Sequence, residues 1–576
     1  MENENLNTPY LPEEESLPKE LFNEVNDSRS LHDQAFETKP VSFLRDSLSR
    51  FAKNKASIVG AAIILLIALY GLIVPFVTPT AHVDTISYPN GFKDSYFQYV
   101  TPYCSWFDGT GFWDGTKTGA VAEDDLAALQ YDDSNHPYFV KIESSSTRRV
   151  GATKVTTYTI RYDTYAVGNK EVQLSQEEYD ALKAYDVQRV SEGKQTILKH
   201  IVDSASYLTE YTATLTEKEE TLLKEEKEAE TGKEYTLTEQ DKQDIAGEVS
   251  TIITNMRAYY NQNPRVYYAI TAETTTGKIS SNVFRPIFKD DGTPKEIYKM
   301  NSDGTYAEPA KEGGKIKARV DYFDYFTYKN GFEPRFLFGT NGEGQDIFLR
   351  LAQGTRFSLL LGVGISLINF VIGLIWGAVS GYYGGYVDLA MERVTDVIGN
   401  IPSIIILTIC SLQFTNNLSL KASIGEAGIL ILAFLVAFVY SGWIGVASTT
   451  RMQFYRFKGQ EYVLASRTLG AKDSRLIFRH ILPNAIGTLV TSSVLMIPSV
   501  IFSESTLSFL GIMDFSKSNL SSIGTLLSEG QNAGLSSNPH VLLFPCIIIS
   551  LLMVCFNLFG NGLRDAFNTS LKGADD

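Results

Sequence analysis

The fold of this 576-residue chain is decided first at Ser57–Val77, which reads SIVGAAIILLIALYGLIVPFV and carries no charge. The hydrocarbon core of a bilayer is about 30 Å thick, and a helix rises about 1.5 Å per residue, so about 20 apolar residues cross it. A helix also satisfies every backbone hydrogen bond within its own segment, as the membrane interior requires. The stretch therefore predicts a membrane-spanning helix.

Five further segments have the length and apolar character of a spanning helix. They lie at about residues 358–380, 387–412, 427–447, 485–503 and 541–559. The second of these five is the least apolar, because Asp388, Glu392, Arg393 and Asp396 occupy its start. These four fall at helical spacing, and we interpret them as an ion-pair cluster on a helix surface; binding a partner protein or lining an inner path stays open. The sequence predicts a mainly α, polytopic membrane protein with six transmembrane helices.

Basic residues flank these segments on one side of the membrane. They precede the first span, separate the fourth from the fifth, and follow the sixth: Arg45, Arg50, Lys53, Lys55, Arg451, Arg456, Lys458, Arg467, Lys472, Arg475, Arg479, Arg564 and Lys572. These sets face the same side only if the number of spans is even, and Lys and Arg favour the cytoplasm. We therefore predict a multi-pass protein of the cell membrane with both termini in the cytoplasm.

The long polar block 80–335 lies between the first two spans, so this topology makes it extracytoplasmic. It is rich in aromatic and β-branched residues, which favours a folded mixed α/β (α+β) domain over a disordered insert. We predict strands at Lys154–Val167, Tyr207–Leu215 and Arg265–Thr276, and a charged helix at Thr214–Glu234.

Several functions are excluded or lack their motifs. The net charge of -15 argues against a nucleic-acid-binding protein, which needs a basic surface. The chain has no P-loop, HExxH or GxSxG motif, and its four cysteines lack zinc-ligand spacing. We expect no catalytic residues, no metal and no cofactor bound by this chain.

The segment Gln460–Asn484 carries the most functional information, and it reads QEYVLASRTLGAKDSRLIFRHILPN. Gly470 can adopt the left-handed conformation that ends a helix. Asp473 can cap a second helix, and Pro483 is expected to stop that helix soon after. The pattern predicts two short helices joined by a sharp turn, which we call the elbow. A rigid elbow between two spans is suited to docking into a groove on another protein.

This segment resembles the EAA loop of ABC-importer permeases, in the form found in OppC/DppC-type permeases of oligopeptide and dipeptide importers. Gly470, Ile481 and Pro483 match the glycine and closing residues of that loop, and Ala465 matches one alanine of its triplet. Leu464 and Ser466 stand at the other two triplet positions, without the acidic residue. The resemblance assigns the coupling to the ATPase to these residues: Glu461, Ala465, Ser466, Leu469, Gly470, Ala471, Ile481, Pro483 and Asn484.

Further stretches are similar to the same family. They are residues 51–77, 338–361 (FGTNGEGQDIFLRLAQGTRFSLLL), Ser505–Gly511 (STLSFLG) and Leu527–Gly530 (LSEG). Asn341 and Gln345 replace a common Asp and a common Arg. The resemblance covers about 41–79 and 336–568 and implies the ABC type I importer permease fold. Composition and the resemblance together divide the chain into a disordered acidic cytoplasmic tail 1–40, an interfacial helix and first span 41–79, the inserted domain 80–335, a permease core 336–568 with the coupling loop 450–484, and a C-terminal tail 569–576.

The resemblance implies a permease subunit that imports oligopeptides. The implied partners are a second, OppB-like permease, two OppD/OppF-like ATPase subunits that hydrolyse the ATP, an extracellular OppA-like substrate-binding lipoprotein, the peptide and membrane lipid. Within the same subfamily, an importer of nickel or another small solute remains an alternative. A membrane-anchored receptor, or a membrane enzyme with an exported catalytic domain, would explain the block 80–335 but not the elbow.

Glu504 is a candidate residue of the translocation path or its gate, because an acidic group at membrane depth is costly unless it has a function. It stands near the end of the predicted fifth span, so a solvated carboxylate at the membrane interface is the alternative interpretation.

Overall fold

The computed structural model describes residues 43–77, 82–83, 86–87, 96–123, 126, 129–150, 153–263, 265–274, 277–513, 515 and 520–567. The predicted tails 1–40 and 569–576 lie outside the described residues, as does Val41 at the start of the predicted interfacial helix.

The described chain begins with two helices, α1 (Phe43–Lys53) and α2 (Lys55–Val77). The ring of Phe51 on α1 meets the edge of Phe559 near the end of the last helix, with centroids 5.5 Å apart. Leu48 on α1 remains exposed. The helix predicted before the first span is therefore present, and its place in the membrane interface stays a prediction.

Residues between α2 and residue 336 form strands and helices. The strands are β1 (His82–Val83), β2 (Ile86–Ser87), β3 (Thr116–Ala122), β4 (Phe139–Val150), β5 (Thr153–Asp163), β6 (Asn169–Leu174), β7 (Leu198–Lys199), β8 (Ile270–Thr271), β9 (Arg285–Pro286), β10 (Lys311–Glu312) and β11 (Lys315–Asp321). The helices are α3 (Gln176–Ser191), α4 (Ser204–Thr231), α5 (Glu239–Gln262) and α6 (Tyr322–Asn330).

All paired strands of this block are antiparallel. One sheet has the order β3-β5-β4, and another has β10-β11-β6 with β7 also paired to β11. The second sheet packs on α3 and α6 around Tyr165, Leu182 and Phe326. A separate apolar core joins α4 and α5 to the segment that holds Tyr268.

One of the predicted strands is wrong. Tyr207–Leu215 lies inside the helix α4, which Asp203 caps by accepting a hydrogen bond from the backbone of Ser206. Leu208 and Leu215 share the buried face at helical spacing, and Tyr207 stacks on Tyr211 one turn later. Packing along α5 therefore outweighed the strand propensity of a Tyr- and Thr-rich stretch. The predicted strand Lys154–Val167 is present as β5, which ends at Asp163. Of the described residues in the predicted strand Arg265–Thr276, only Ile270 and Thr271 form a strand, β8, and the charged stretch Thr214–Glu234 is the continuation of α4 to Thr231.

From residue 347 onward, the described residues are mainly helical. Its helices are α7 (Ile347–Tyr383), α8 (Gly385–Gly399), α9 (Ser403–Thr415), α10 (Leu418–Gly442), α11 (Ile444–Lys458), α12 (Glu461–Thr468), α13 (Asp473–Arg475), α14 (Leu482–Val494), α15 (Met496–Phe509), α16 (Ile523–Ala533) and α17 (Pro539–Phe567). A π-helical turn, Leu476–Ile481, connects α13 to α14.

Among the described residues, five helical segments are long and apolar enough to cross a membrane: Lys55–Val77, Ile347–Tyr383, Leu418–Lys458, Asp473–Phe509 and Pro539–Phe567. The predicted span 387–412 is not one straight helix, since α8 and α9 meet at a bend of 67°. Pro402 lies at the break; it lacks an N–H, and it disfavours helical conformation at the preceding residue. The bent pair supplies the sixth span if it crosses as one unit.

A row of glycines lets α7 approach α11 closely. Added β-carbons at Gly373 and Gly381 would lie 2.6 Å from the carbonyl oxygen of Trp443 and 2.7 Å from the Cβ of Phe454. Gly362 likewise faces Ile501. These glycines therefore allow close helix packing, whereas Gly384 and Gly385 have positive φ and form the turn into α8.

We expect Gly373→Ala to lower the stability of the detergent-solubilised protein by about 1–3 kcal/mol, because the added methyl group overpacks the contact with α11. Gly364→Ala on the same helix is the matched control, since its β-carbon would meet nothing within 4 Å. Thermal unfolding followed by intrinsic fluorescence compares the two variants. An equal midpoint for both would contradict the close contact.

Candidate functional site

The elbow is present as two helices joined at Gly470. The helix α12 ends at Thr468. Gly470 follows shortly after it and has a φ of +80°, which is the predicted left-handed conformation. A β-carbon built at this position meets nothing within 4 Å. Glycine is therefore favoured by the backbone conformation and not by lack of space.

Two details of the elbow differ from the prediction. The cap position is Lys472, without a side-chain hydrogen bond, while the Asp473 carboxylate accepts a hydrogen bond from the Tyr382 hydroxyl at 2.6 Å. Pro483 does not stop the helix but stands second in α14. The wider π-helical turn before α14 accommodates the missing N–H and the proline ring.

A buried apolar cluster holds the elbow against the spanning helices. Its fully enclosed members are Tyr382, Phe454, Val463, Leu476 and Ile481. They come from α7, α11, α12 and the π-helical turn, so both arms of the elbow pack on the ends of two spans. The contact between Tyr382 and Asp473 adds a hydrogen bond to the same junction. Movement of the elbow is therefore mechanically linked to α7 and α11.

The outer surface of the elbow is exposed and partly apolar. Leu469 is 89% exposed and Phe478 69% exposed, and Leu464 also faces outward. Exposed apolar side chains clustered on a rigid projection are a feature of protein-binding surfaces.

The predicted coupling residues divide between this surface and the cluster beneath it. Glu461, Ala465, Leu469, Gly470, Pro483 and Asn484 are exposed, Ser466 and Ala471 are half-buried, and Ile481 is fully buried. Asn484 donates to the carbonyl of His480 at 2.7 Å and to the Tyr462 hydroxyl at 3.1 Å. Partial burial raises the pKa of Tyr462 above its ordinary value, so its hydroxyl remains protonated at neutral pH.

An ion-pair cluster next to the elbow was not predicted in its actual form. The Arg451 guanidinium donates to both carboxylate oxygens of Asp388, each at 2.6 Å, and to Glu392 at 3.2 Å. The Tyr455 hydroxyl also donates to Asp388 at 2.6 Å. Only Arg393 and Asp396 form the expected pair on the helix surface.

The sequence contains a signal for this cluster. Asp388 and Glu392 are four residues apart on α8, and Arg451 and Tyr455 are four apart on α11, so each pair shares one helix face. The sequence alone assigns Asp388 and Glu392 to a cluster on their own helix. It does not pair them with Arg451 and Tyr455, because those residues are distant along the chain. The cluster joins α8 to the last two turns of α11, which ends at Lys458 shortly before the elbow begins.

Glu504 is buried rather than solvated. It is 1% exposed and accepts hydrogen bonds from the Ser358 hydroxyl at 3.2 Å and the Ser508 hydroxyl at 3.0 Å. The interpretation as a solvated carboxylate is therefore wrong, because α7, α15 and α16 enclose the side chain. Its role in a path or gate stays a prediction.

Two segments that the sequence singled out meet at Glu529 on α16. The Arg350 guanidinium donates to one of its carboxylate oxygens at 2.6 Å, and the Asn341 amide donates to the other at 2.9 Å. Asn341 thus supplies a donor to Glu529, which an aspartate there could not do when ionised. Within the described ranges, no group of three His, Cys, Asp or Glu residues is placed to hold a metal ion.

Comparison with known families gives two matches along the chain. Residues 370–573 match the binding-protein-dependent transport system inner membrane component family, and residues 42–92 match the N-terminal transmembrane domain of oligopeptide transport permease C. The second match covers α1 and α2, and the first covers the elbow and most of the spans.

Relatives align to the same part of the chain. The oligopeptide transport system permease protein OppC of Bacillus subtilis is 39% identical over 235 residues, which is 41% of this chain and 72% of that protein. The dipeptide permease DppC of Bacillus subtilis is 37% identical over 41% of this chain and 69% of its own length. OppC of Escherichia coli K12 is 36% identical over 41% and 73%. An inward-facing structure of the MetNI methionine ABC transporter aligns at 17% identity with a TM-score of 0.28, over 38% of this chain and 95% of that one.

We expect Arg451→Gln to reduce stability by about 3 kcal/mol, because it leaves the buried Asp388 carboxylate without its counter-charge. Arg393→Gln is the matched control, since that exposed pair with Asp396 contributes little. Chemical or thermal unfolding in detergent compares the two. If Arg393→Gln destabilises the protein as much as Arg451→Gln, the cluster does not hold α8 to α11.

Proposed function

The chain belongs to the family of OppC- and DppC-type permeases of binding-protein-dependent transport systems, and from that membership we propose that it is the membrane-spanning permease subunit of an ABC importer of oligopeptides. Its relatives are named as transport permeases and not as enzymes. The observation that supports the proposal best is the elbow, a rigid projection with an exposed apolar tip that packs on the ends of two spans.

The exposed tip is proposed to dock into a cleft of an ATPase subunit. Leu469 and Phe478 supply apolar area at the tip, and the residues Glu461, Ala465, Ser466, Gly470, Ala471, Pro483 and Asn484 shape the surface around it. Ile481 acts from below, in the buried cluster. When two ATPase subunits close on ATP, motion of the docked tip would pass through that cluster to α7 and α11. ATP hydrolysis is thereby assigned to the partner subunits, and this chain is proposed to bind no cofactor.

A complete transport path requires a second permease subunit, and an extracellular binding protein would deliver the peptide. The elbow and the basic flanks of the spans belong to one side of the membrane, which we assign to the cytoplasm together with both termini. The block 80–335 then lies on the other side as an extracytoplasmic inserted domain. Glu504 would face the path only when α7, α15 and α16 separate, so its role would belong to another conformation.

We further propose that the block 80–335 forms a lid or docking surface for the binding protein. Residues 96–115 and 336–346 pack against one another, with Tyr103 donating its backbone N–H to the carbonyl of Phe336 at 3.0 Å. Gly115 also donates to the carbonyl of Pro102, so both ends of the segment 116–335 lie close together. The chain therefore enters and leaves the segment 116–335 at one place, directly before α7.

The proposed function is tested by purifying the tagged chain from membranes in mild detergent and assaying ATPase activity of the complex. We expect a second permease and ATPase subunits to co-purify with the wild type. Gly470→Arg should uncouple or release the ATPases, because a long charged side chain would stand on the docking surface. Gly470→Asn is the matched control, since Asn tolerates the left-handed conformation and a small side chain has space there.

Purification of the chain without any nucleotide-binding partner would contradict the importer proposal and favour the receptor alternative. A Gly470→Arg complex with wild-type transport and ATPase coupling would contradict docking at the elbow while leaving the importer proposal in place.

The lid proposal predicts that replacing residues 116–334 by a short Gly/Ser linker leaves the ATPase complex assembled but removes binding-protein affinity. The linker is short because the two ends already meet beside Pro102 and Tyr103. Binding of the purified binding protein to the complex in nanodiscs measures the effect. Unchanged affinity together with unchanged transport would overturn the lid proposal.

A further inference from the structure

A loop at the base of the inserted domain exposes large aromatic side chains. Residues 104–115, which we call the aromatic loop, read CSWFDGTGFWDG. Trp106 is 91% exposed and Phe112 is 62% exposed. An indole side chain left this open to water has an apolar body that normally finds a partner surface.

Both carboxylates of the aromatic loop accept hydrogen bonds from nearby groups. Asp114 accepts hydrogen bonds from the backbone of Gly111 at 2.7 Å and from the Thr116 hydroxyl at 2.7 Å. Asp108 accepts one from the Tyr103 hydroxyl at 3.1 Å. The exposed surface of the loop therefore contains Trp106, Phe112 and one carboxylate, Asp108, while Asp114 is buried and Trp113 packs on α17.

A continuous series of ring contacts connects the aromatic loop to the spanning helices. Trp113 lies 5.4 Å from Phe544 on α17, and Phe544 stacks on Phe338 at 3.9 Å. Phe338 meets Phe348 on α7, which in turn meets Tyr70 on α2, each pair with centroids 5.1 Å apart. The base of the loop is thus at the level where three spans end.

The exposed residues beside Phe544 indicate the surroundings at that level. Leu543 is 52% exposed, and Ile547 on the next turn is also exposed. Phe544 is five residues into α17, which corresponds to about 7.5 Å along the axis. Outward-facing apolar side chains near the end of a spanning helix are suited to contact with lipid, which puts a lipid boundary within reach of the aromatic loop.

We propose that the aromatic loop inserts Trp106 and Phe112 into the interfacial region of the bilayer, next to the end of α17, and so anchors the inserted domain to the membrane surface. Trp is enriched at this depth in membrane proteins because it combines an apolar ring with a polar N–H. The proposal requires that the spans lie in a bilayer; it is independent of which solute is transported.

The test uses the whole chain in nanodiscs, alone and in its complex, with lipids brominated near the headgroup. Subtracting the emission of Trp106→Phe from that of the wild type isolates the signal of Trp106 and leaves Trp113 unchanged. We expect brominated lipid to quench this signal, because a tryptophan in the interface lies within contact distance of bromine near the headgroup. The control is Tyr306→Trp in the Trp106→Phe background, an exposed site whose ring contacts are His200 and Tyr298.

The control signal should respond to aqueous iodide and not to bromine. Iodide quenching of Trp106 without a bromine effect would overturn the proposal and place the loop in water. Loss of iodide access only in the assembled complex, again without a bromine effect, would overturn it in favour of a protein partner. Neither result would affect the co-purification or ATPase outcome, so the anchor and the importer function fail separately.

Discussion

The contact between α7 and α11 is the constraint on which the rest of the membrane structure depends. Glycines on α7 bring the two backbones together along several turns, and the Arg451–Asp388 pair joins α11 to α8 at the end of that contact. Tyr382 at the end of α7 then packs with Phe454 of α11 in the cluster beneath the elbow. Because glycines leave no side chains between α7 and α11, the two helices pack too closely to slide past each other. The elbow therefore has a rigid base.

This arrangement gives a physical basis for the proposed coupling. The elbow projects Leu469 at its tip, while Ile481 and Leu476 are buried at its base. A force on the tip reaches the spans through buried apolar contacts and the hydrogen bond of Tyr382 to Asp473, with few flexible residues between. At the other end of α7, Glu529 on α16 binds Arg350 in the first turn of that helix and Asn341 just before it. One long helix thereby connects the elbow to the region where the inserted domain ends.

The inserted domain shows where local patterns mislead. Tyr207–Leu215 has strand-favouring composition, but it forms part of α4 because Leu208 and Leu215 pack against α5, a contact that local propensity does not contain. Glu504 shows the same limit in the spans: its position along the sequence suggested an interfacial side chain, whereas α7 and α16 cover it, and Ser358 on α7 and Ser508 on its own helix supply hydroxyl groups. The facing pairs on α8 and α11 also stayed hidden, since they are about sixty residues apart.

The sequence by itself determined the apolar segments, the basic flanks and the left-handed turn at Gly470, because each of these depends on the physics of one continuous stretch. A run of apolar residues that is long enough to cross the hydrocarbon core defines a spanning segment, and steric limits on the backbone favour glycine where φ is positive. Only the tertiary structure decided the 67° bend between α8 and α9, the burial of Glu504, the partners of Arg451 and the surface on which Leu469 is displayed. Those features depend on which distant segments pack together, and that selection is made by the free energy of the whole assembly of helices.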